Sequence, residues 1–195
     1  MKKNICVITG TRAEYGLLRK LMLKLKNDKK LNLKLIVTGT HLSREFGYTY
    51  KEIEKDKFKI NDKINIISNS DTPLSICKSI GIGVIEFAKS FKKIKPDVVV
   101  LLGDRFELLS AASASLVCQI PLAHLHGGET TLGAFDESIR HSITKMSHLH
   151  FVTTEVYKKR VIQMGENPKN VFNVGGLGAE NAKNIELINR KELEK

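Results

Sequence analysis

From His124 to His141 the chain reads His-Leu-His-Gly-Gly-Glu-Thr-Thr-Leu-Gly-Ala-Phe-Asp-Glu-Ser-Ile-Arg-His. Histidines, an adjacent Asp-Glu pair, an arginine and a Gly-Gly turn crowd into one loop and a helix start. Packing alone needs no such density of titratable groups. Proton transfer on a polar, anionic substrate does. The stretch follows an apolar strand, Ile120 to Leu125, and opens a helix expected to run to about Met146. Active sites of open α/β sheets lie at this strand-to-helix edge. Two further segments have the same layout: Ile5 to Gly16, and Val98 to Glu107. Arg12, Asp104, Arg105, His126, Glu129, Asp136 and Arg140 are therefore expected around one crevice.

Each of these residues also has a plain structural reading. A lone Asp104 after a strand can cap the next helix. Asp136 and Glu137 at a helix start favour its dipole, and Arg140 one turn on can pair with Asp136. His124 and His126, two apart on a strand, face one side and could share a metal ion. No third ligand accompanies them, so no metal is assigned. Arg12 at a helix start opposes the dipole, which hints at a nearby anion. Gly10 and Gly16 would let backbone approach a phosphate. His41 is as readily structural as functional, and His148 and His150 read as structural.

The apolar residues supply the frame for these groups. Short apolar runs at Asn4–Thr9, Leu33–Thr38, Val98–Leu102, Leu149–Thr153 and Val171–Val174 read as strands, with a looser one at Phe58–Ile67. Helical spacing marks Glu14–Lys26, Ser75–Phe91, Arg105–Val117 and Glu155–Met164, and a helix is plausible over Thr49–Asp56. Near-continuous apolar strands alternating with helices imply a parallel sheet covered on both faces. The expected fold is an α/β, Rossmann-like, doubly wound domain over residues 1–178. Residues 179–195 are polar and read as a linker or terminal helix.

Composition narrows the class. Hydrophobic residues make up 42% and charged residues 27%, as in an ordinary globular domain. No apolar run reaches membrane-spanning length. Cys6, Cys77 and Cys118 are scattered. Cys6 and Cys118 lie in apolar segments and read as buried free thiols of a reducing cytoplasm. The net charge of +11 is mostly lysine on solvated faces, and aromatics are only 6% with no tryptophan. Nucleic-acid binding is therefore not expected, whereas a diphosphate would suit the positive field.

Four motifs occur in order: Gly-Thr-Arg12, Gly-Asp104-Arg105, His126-Gly-Gly-Glu129 following His124-Leu, and Asp136-Glu-Ser-Ile-Arg140-His-Ser-Ile-Thr-Lys-Met-Ser-His148. Together they resemble the hydrolysing UDP-N-acetylglucosamine 2-epimerases, and the branch serving sialic- and legionaminic-type sugar synthesis above all. The resemblance runs from Lys3 to about Gly178. It implies the N-terminal half of a GT-B-type pair of Rossmann-like domains, with a second domain supplying most nucleotide contacts and a homodimer as the expected assembly. It implies a nucleotide-sugar substrate and no cofactor. The implied reaction removes the C2 proton as the nucleotide leaves C1, then adds water to the resulting glycal. Asp104, Asp136, and His126 or Glu129 are the implied catalytic groups. Several relatives carry Glu where His126 stands, so the two candidates remain open. Arg12, Gly16, His41, Arg105, Glu137 and Arg140 are the implied substrate contacts. The alternative is a sugar-nucleotide-binding or interaction domain without turnover.

Overall fold

A computed structural model describes residues 2–66, 72–131 and 135–183. Strands β1 (Lys3–Thr9), β2 (Leu31–Thr38), β3 (Asp62–Ile64), β4 (Val98–Leu102), β5 (Leu122–Leu125), β6 (Leu149–Val152) and β7 (Val171–Asn173) form one sheet in the order β3-β2-β1-β4-β5-β6-β7. Every pairing is parallel. The chain winds outward from β1 to β3, then resumes on the other side at β4. The point where strand order reverses lies between β1 and β4, where such sheets bind ligands. This is the doubly wound parallel fold expected from the strand–helix alternation.

The strand sequences explain the two-sided core. Cys6 and Ile8 join Val99 and Leu101 in one layer, under α3 (Pro73–Ile94), α4 (Phe106–Val117) and α5 (Asp136–Met146). Val7, Val100 and Leu102 point the other way, toward Tyr15, Leu18 and Met22 of α1 (Arg12–Asn27) and Ile53 of α2 (Tyr50–Lys55). Successive side chains alternate faces, so a strand buried on both sides must be apolar at every position. A smaller cluster of Val152, Val161 and Val171 seats α6 (Glu155–Gln163) beside β7. Thr11 starts α1 by accepting the Glu14 amide, and Thr154 starts α6 in the same way through the Tyr157 amide.

Two local expectations need correction. The run Phe58–Ile67 yields only the three-residue edge strand β3, because Asn61 side chain and backbone already occupy the Leu35 amide and carbonyl. Residue 67 lies outside the described residues. Cys118 is exposed, not buried: it caps the C-terminal end of α4, where the chain turns back to solvent. The segment after Gly176 forms a helix, α7 (Leu177–Lys183), resting on α1, with Asn181 bonded to the Gly16 carbonyl. No described helix is long and apolar enough to cross a membrane.

Helices α3 and α4 are in close contact at Gly83, where an added Cβ would fall 2.8 Å from Ser110 Cβ. Gly81, two residues earlier and exposed, has open space around it. Gly81→Ala should therefore stabilise the fold by about 0.5–1 kcal/mol through helix propensity alone. Gly83→Ala should lose more than it gains, by roughly 1 kcal/mol or more of overpacking. Urea unfolding of the two variants checks this, and equal shifts of one sign would refute the close contact.

Candidate active site

The C-terminal ends of β4, β5 and β6 converge on one buried arginine. Arg140, on α5, has a side chain only 9% exposed. Its Nη2 donates to Asp104 Oδ2 and, at 3.2 Å, to Thr131 Oγ1. Its Nη1 donates to the His126 carbonyl at 3.0 Å and stands 3.6 Å from Glu129 Oε2. Glu129 in turn accepts from Thr153 Oγ1 at 2.9 Å, just past the end of β6. A charged fork buried this deeply needs such a ring of acceptors, since an unpaired buried guanidinium is very costly.

His126 sits inside this ring. It follows β5 directly and adopts φ 63°, the left-handed region that non-glycine residues rarely occupy. The bend is held by its amide on the Phe151 carbonyl and by Arg140 on its own carbonyl. The imidazole Nδ1 lies 3.4 Å from Glu129 Oε1, while Nε2 is buried and has no hydrogen-bond partner among the described residues. Burial lowers the His126 pKa and Arg140 lowers it further, against an upward pull from Glu129. Beyond it, Gly128 has φ 76°, and a Cβ there would strike Val161 and the Tyr157 carbonyl. Only glycine lets the loop lie against α6 at this point.

His124 does a different job. Fully buried, it bonds through Nε2 to the Gly103 carbonyl at 2.8 Å and through Nδ1 to Thr144 Oγ1 at 3.1 Å. A carbonyl only accepts, so Nε2 carries the proton, and Nδ1 faces the Thr144 hydroxyl, which also reaches the Arg140 carbonyl at 3.0 Å. Both nitrogens are thus committed to fixing the turn that carries Asp104. His126 lies past the strand end, so the two rings do not share a strand face as the sequence spacing suggested. Burial pushes the His124 pKa down to about 3.

The remaining candidates are placed as follows. Asp104 caps no helix: the N-cap of α4 is Arg105, without a side-chain bond, and the Asp104 carboxylate turns to Arg140 instead. Asp136 opens α5 half-buried, and among the described residues it carries no ion pair; Arg140 reaches past it to Asp104. Glu137 lies 3.6 Å from His141 along the same helix. Arg12 is exposed and bonds Glu52 at 3.2 Å. Gly16 lies within α1, one turn beyond the strand edge. His41 is buried between Thr9 Oγ1 at 3.2 Å and Thr49 Oγ1 at 2.7 Å, and burial lowers its pKa to about 4.

Sequence reading passed over the threonines and two glutamates. Thr131 and Thr153 complete the arginine's ring, and Thr153, like Asp104, follows a strand end, which is the signal that marks it. Glu14 and Glu107 are buried beneath Arg105 at the ends of β1 and β4. Glu14 Oε2 accepts the Gly10 amide at 2.7 Å. Glu107 Oε1 accepts from Arg105 Nε at 3.1 Å. Burial, with the neighbouring Glu107 adding to it, pushes the Glu14 carboxyl up to about 7 despite the Gly10 bond.

Two outcomes follow. Arg140→Met should destabilise the fold by about 3 kcal/mol, because it strands the carboxylates it pairs. Asp104→Asn in the same chain should recover part of that loss; no recovery in thermal unfolding would mean the pair is not the source. The pH dependence has two arms. His41 and His124 have folded pKa values below the unfolded 6.5, so their contribution is full above pH 6.5 and is lost as pH falls toward 4. Glu14 is raised, so its contribution is full below pH 4.5 and is lost as pH rises through 7. Glu14→Gln should therefore gain stability relative to the parent between pH 6 and 8.5, as read from urea midpoints.

This geometry can now be set beside known proteins. A family model described as UDP-N-acetylglucosamine 2-epimerase matches residues 23–195. The chain is 56% identical over 194 residues to the GDP/UDP-N,N'-diacetylbacillosamine 2-epimerase (hydrolyzing) of Campylobacter jejuni subsp. jejuni, covering 100% of this chain and 50% of that protein. It is 47% identical to the polysialic acid biosynthesis protein P7 of Escherichia coli, covering 98% of this chain and 49% of that one. The chain spans about half the length of the curated relatives it matches. In fold it resembles the crystal structure of UDP-GlcNAc 2-epimerase from Neisseria meningitidis bound to UDP-GlcNAc, with a TM-score of 0.81 at 19% identity over 92% of this chain and 48% of that one. Because the family model matches 23–195 and so includes every motif from His41 onward, the chain belongs to the UDP-N-acetylglucosamine 2-epimerase family.

Proposed function

We propose that this chain supplies the proton-transfer half of a hydrolysing nucleotide-sugar 2-epimerase. Its substrate is a UDP- or GDP-linked 2-acetamido or 2,4-diacetamido sugar. The observation that carries this reading is the imidazole of His126, with Glu129 at Nδ1 and a buried Nε2 that has no partner among the described residues, set beside the Asp104–Arg140 pair. The name of the Campylobacter jejuni relative supports the substrate class. That of the Escherichia coli relative supports a place in nonulosonic acid synthesis, and this reading puts the step in the cytoplasm. The curated relatives are about twice as long as this chain, which supports a reading in which a second nucleotide-binding domain completes the site, and that reading includes a dimer of the whole.

The chemistry follows from the arrangement. Burial keeps His126 neutral near pH 7, and Glu129 favours the tautomer with the proton on Nδ1. Nε2 then has a free lone pair and takes the C2 proton. The C–H electrons become the C1=C2 double bond while the C1–O bond to the diphosphate breaks. The departing diphosphate is held by cations, of which Arg105 and Arg12 stand at neighbouring strand ends. Water then adds across the double bond, its oxygen to C1, and a proton returns to C2 from the opposite face. Asp136 is the acid for that return, and Asp104, held in place by Arg140, is the carboxylate that relays protons beside it.

The test joins this chain to the C-terminal half of the Campylobacter jejuni relative and incubates it with UDP-GlcNAc or its 2,4-diacetamido relative in deuterium oxide. Release of nucleoside diphosphate with deuterium at C2 is expected, and negligible turnover from the 195-residue chain alone. His126→Gln, Glu129→Gln, Asp104→Asn and Asp136→Asn should each lose on the order of 100-fold or more in rate. Parental turnover in His126→Gln would remove the imidazole as base, and loss confined to Glu129→Gln would move that role to the carboxylate.

A further inference from the structure

The buried glutamates at the switch point are not used by the proton-transfer scheme. Glu107 is completely buried, on the first turn of α4. Its Oε1 bonds Arg105 Nε at 3.1 Å, and its Oε2 is buried without a partner among the described residues. Glu14 reaches the same place from α1: Oε2 takes the Gly10 amide, and Oε1, also unpartnered, lies 4.0 Å from Arg105 Nε. The packing leaves Glu107 no latitude. A Cβ on Gly39 would fall 2.6 Å from its Oε1, so the carboxylate is wedged between the turns that end β1 and β2.

Arg105 is different. Its side chain is 39% exposed, and among the described residues no protein acceptor takes its Nη protons. A guanidinium gripped at Nε keeps a planar edge of two nitrogens free. That edge matches two oxygens of a phosphate and sits at the crevice between β1 and β4. The burial of Glu107 is hard to account for by stability alone, since a fully buried carboxylate with one orphaned oxygen is costly.

We propose that Glu107, backed by Glu14, is a positioning residue that holds Arg105 by its Nε edge so that the Nη edge meets a diphosphate at the switch point. This rests on the nucleotide-sugar reading above. The raised Glu14 pKa fits it, because a neutral Glu14 leaves one carboxylate for one guanidinium rather than a net negative charge facing an anion.

The sign of one substitution separates positioning from mere charge. If Glu107 is only a negative charge near an anion site, Glu107→Gln should tighten anion binding. If it positions Arg105, the same change should weaken it. The measurement is calorimetric titration of the 195-residue chain with UDP and, separately, with inorganic pyrophosphate. Glu107→Gln is expected to weaken binding by roughly tenfold. In an Arg105→Ala chain, already weakened, adding Glu107→Gln should change nothing further, because the glutamate acts through the arginine. Arg105→Lys should not rescue, lacking a second edge. Unchanged or tighter binding by Glu107→Gln, or an equal loss in the Arg105→Ala background, overturns the proposal. Should Glu107→Gln not fold, the Arg105 Nε–Hε resonance of the parent decides. It is expected to exchange slowly with water and to shift when pyrophosphate binds, and a fast-exchanging or unmoved signal overturns the proposal. Binding of pyrophosphate but not UDP would fail the nucleotide reading and leave the positioning role standing. Binding of neither defeats the positioning role.

Discussion

The buried guanidinium of Arg140 is the interaction on which the site depends. It comes from a helix, yet its bonds run to the ends of separate strands: Asp104 after β4, the His126 carbonyl after β5, and Glu129 in the loop beyond. One rigid planar fork thereby fixes α5, the turn after β4 and the loop after β5 relative to one another. A lysine could not do this, since it offers a point charge on a flexible stem. The cost of burying the charge is offset because every nearby acceptor is itself oriented by something else, as Thr153 orients Glu129. The backbone of His126 stays in an uncommon conformation because two of its own polar groups are tied down.

Two histidines two residues apart show how burial divides labour. His124 is on the strand, enclosed on all sides, with both nitrogens bonded, and it works as a neutral brace for the Gly103 turn. His126 lies one residue past the strand end, and one of its nitrogens has no partner. The same side chain is structural in one place and available for chemistry in the other. The parallel case among cations is Arg140 and Arg105. The first uses both ends of its fork inside the protein; the second is held at one edge only.

The sheet places these devices. In a doubly wound parallel sheet all strand ends point the same way, and the helices that follow begin at the same edge. Residues just after Thr9, Thr38, Leu102, Leu125 and Val152 therefore gather without any long-range pairing between them being coded in sequence. This is how a short chain concentrates Glu14, His41, Arg105, Asp104, His126, Glu129 and Thr153 along one edge.

The sequence by itself determined the fold class and the strand-end motifs. Apolar runs buried on both faces have one architecture open to them, and Gly-Asp104-Arg105, the Gly-Gly turn and Asp136 to Arg140 are visible as local patterns. It also located the edge where Asp104, His126, Glu129 and Arg140 meet. What it could not reveal is which partner each charge takes. Spacing offered Asp136, one turn away, as a partner for Arg140, but the helix faces the ends of β4 and β5, and the guanidinium meets the Asp104 carboxylate there. Spacing left a cap open beside catalysis for Asp104, whereas its carboxylate turns inward. It put His124 and His126 on one strand face, whereas the strand ends between them. It gave no sign that Glu14 and Glu107, 93 positions apart, lie under one arginine, as their shared contact with Arg105 shows. Those outcomes depend on burial and on which elements become neighbours, and both arise only when the sheet has closed on its helices.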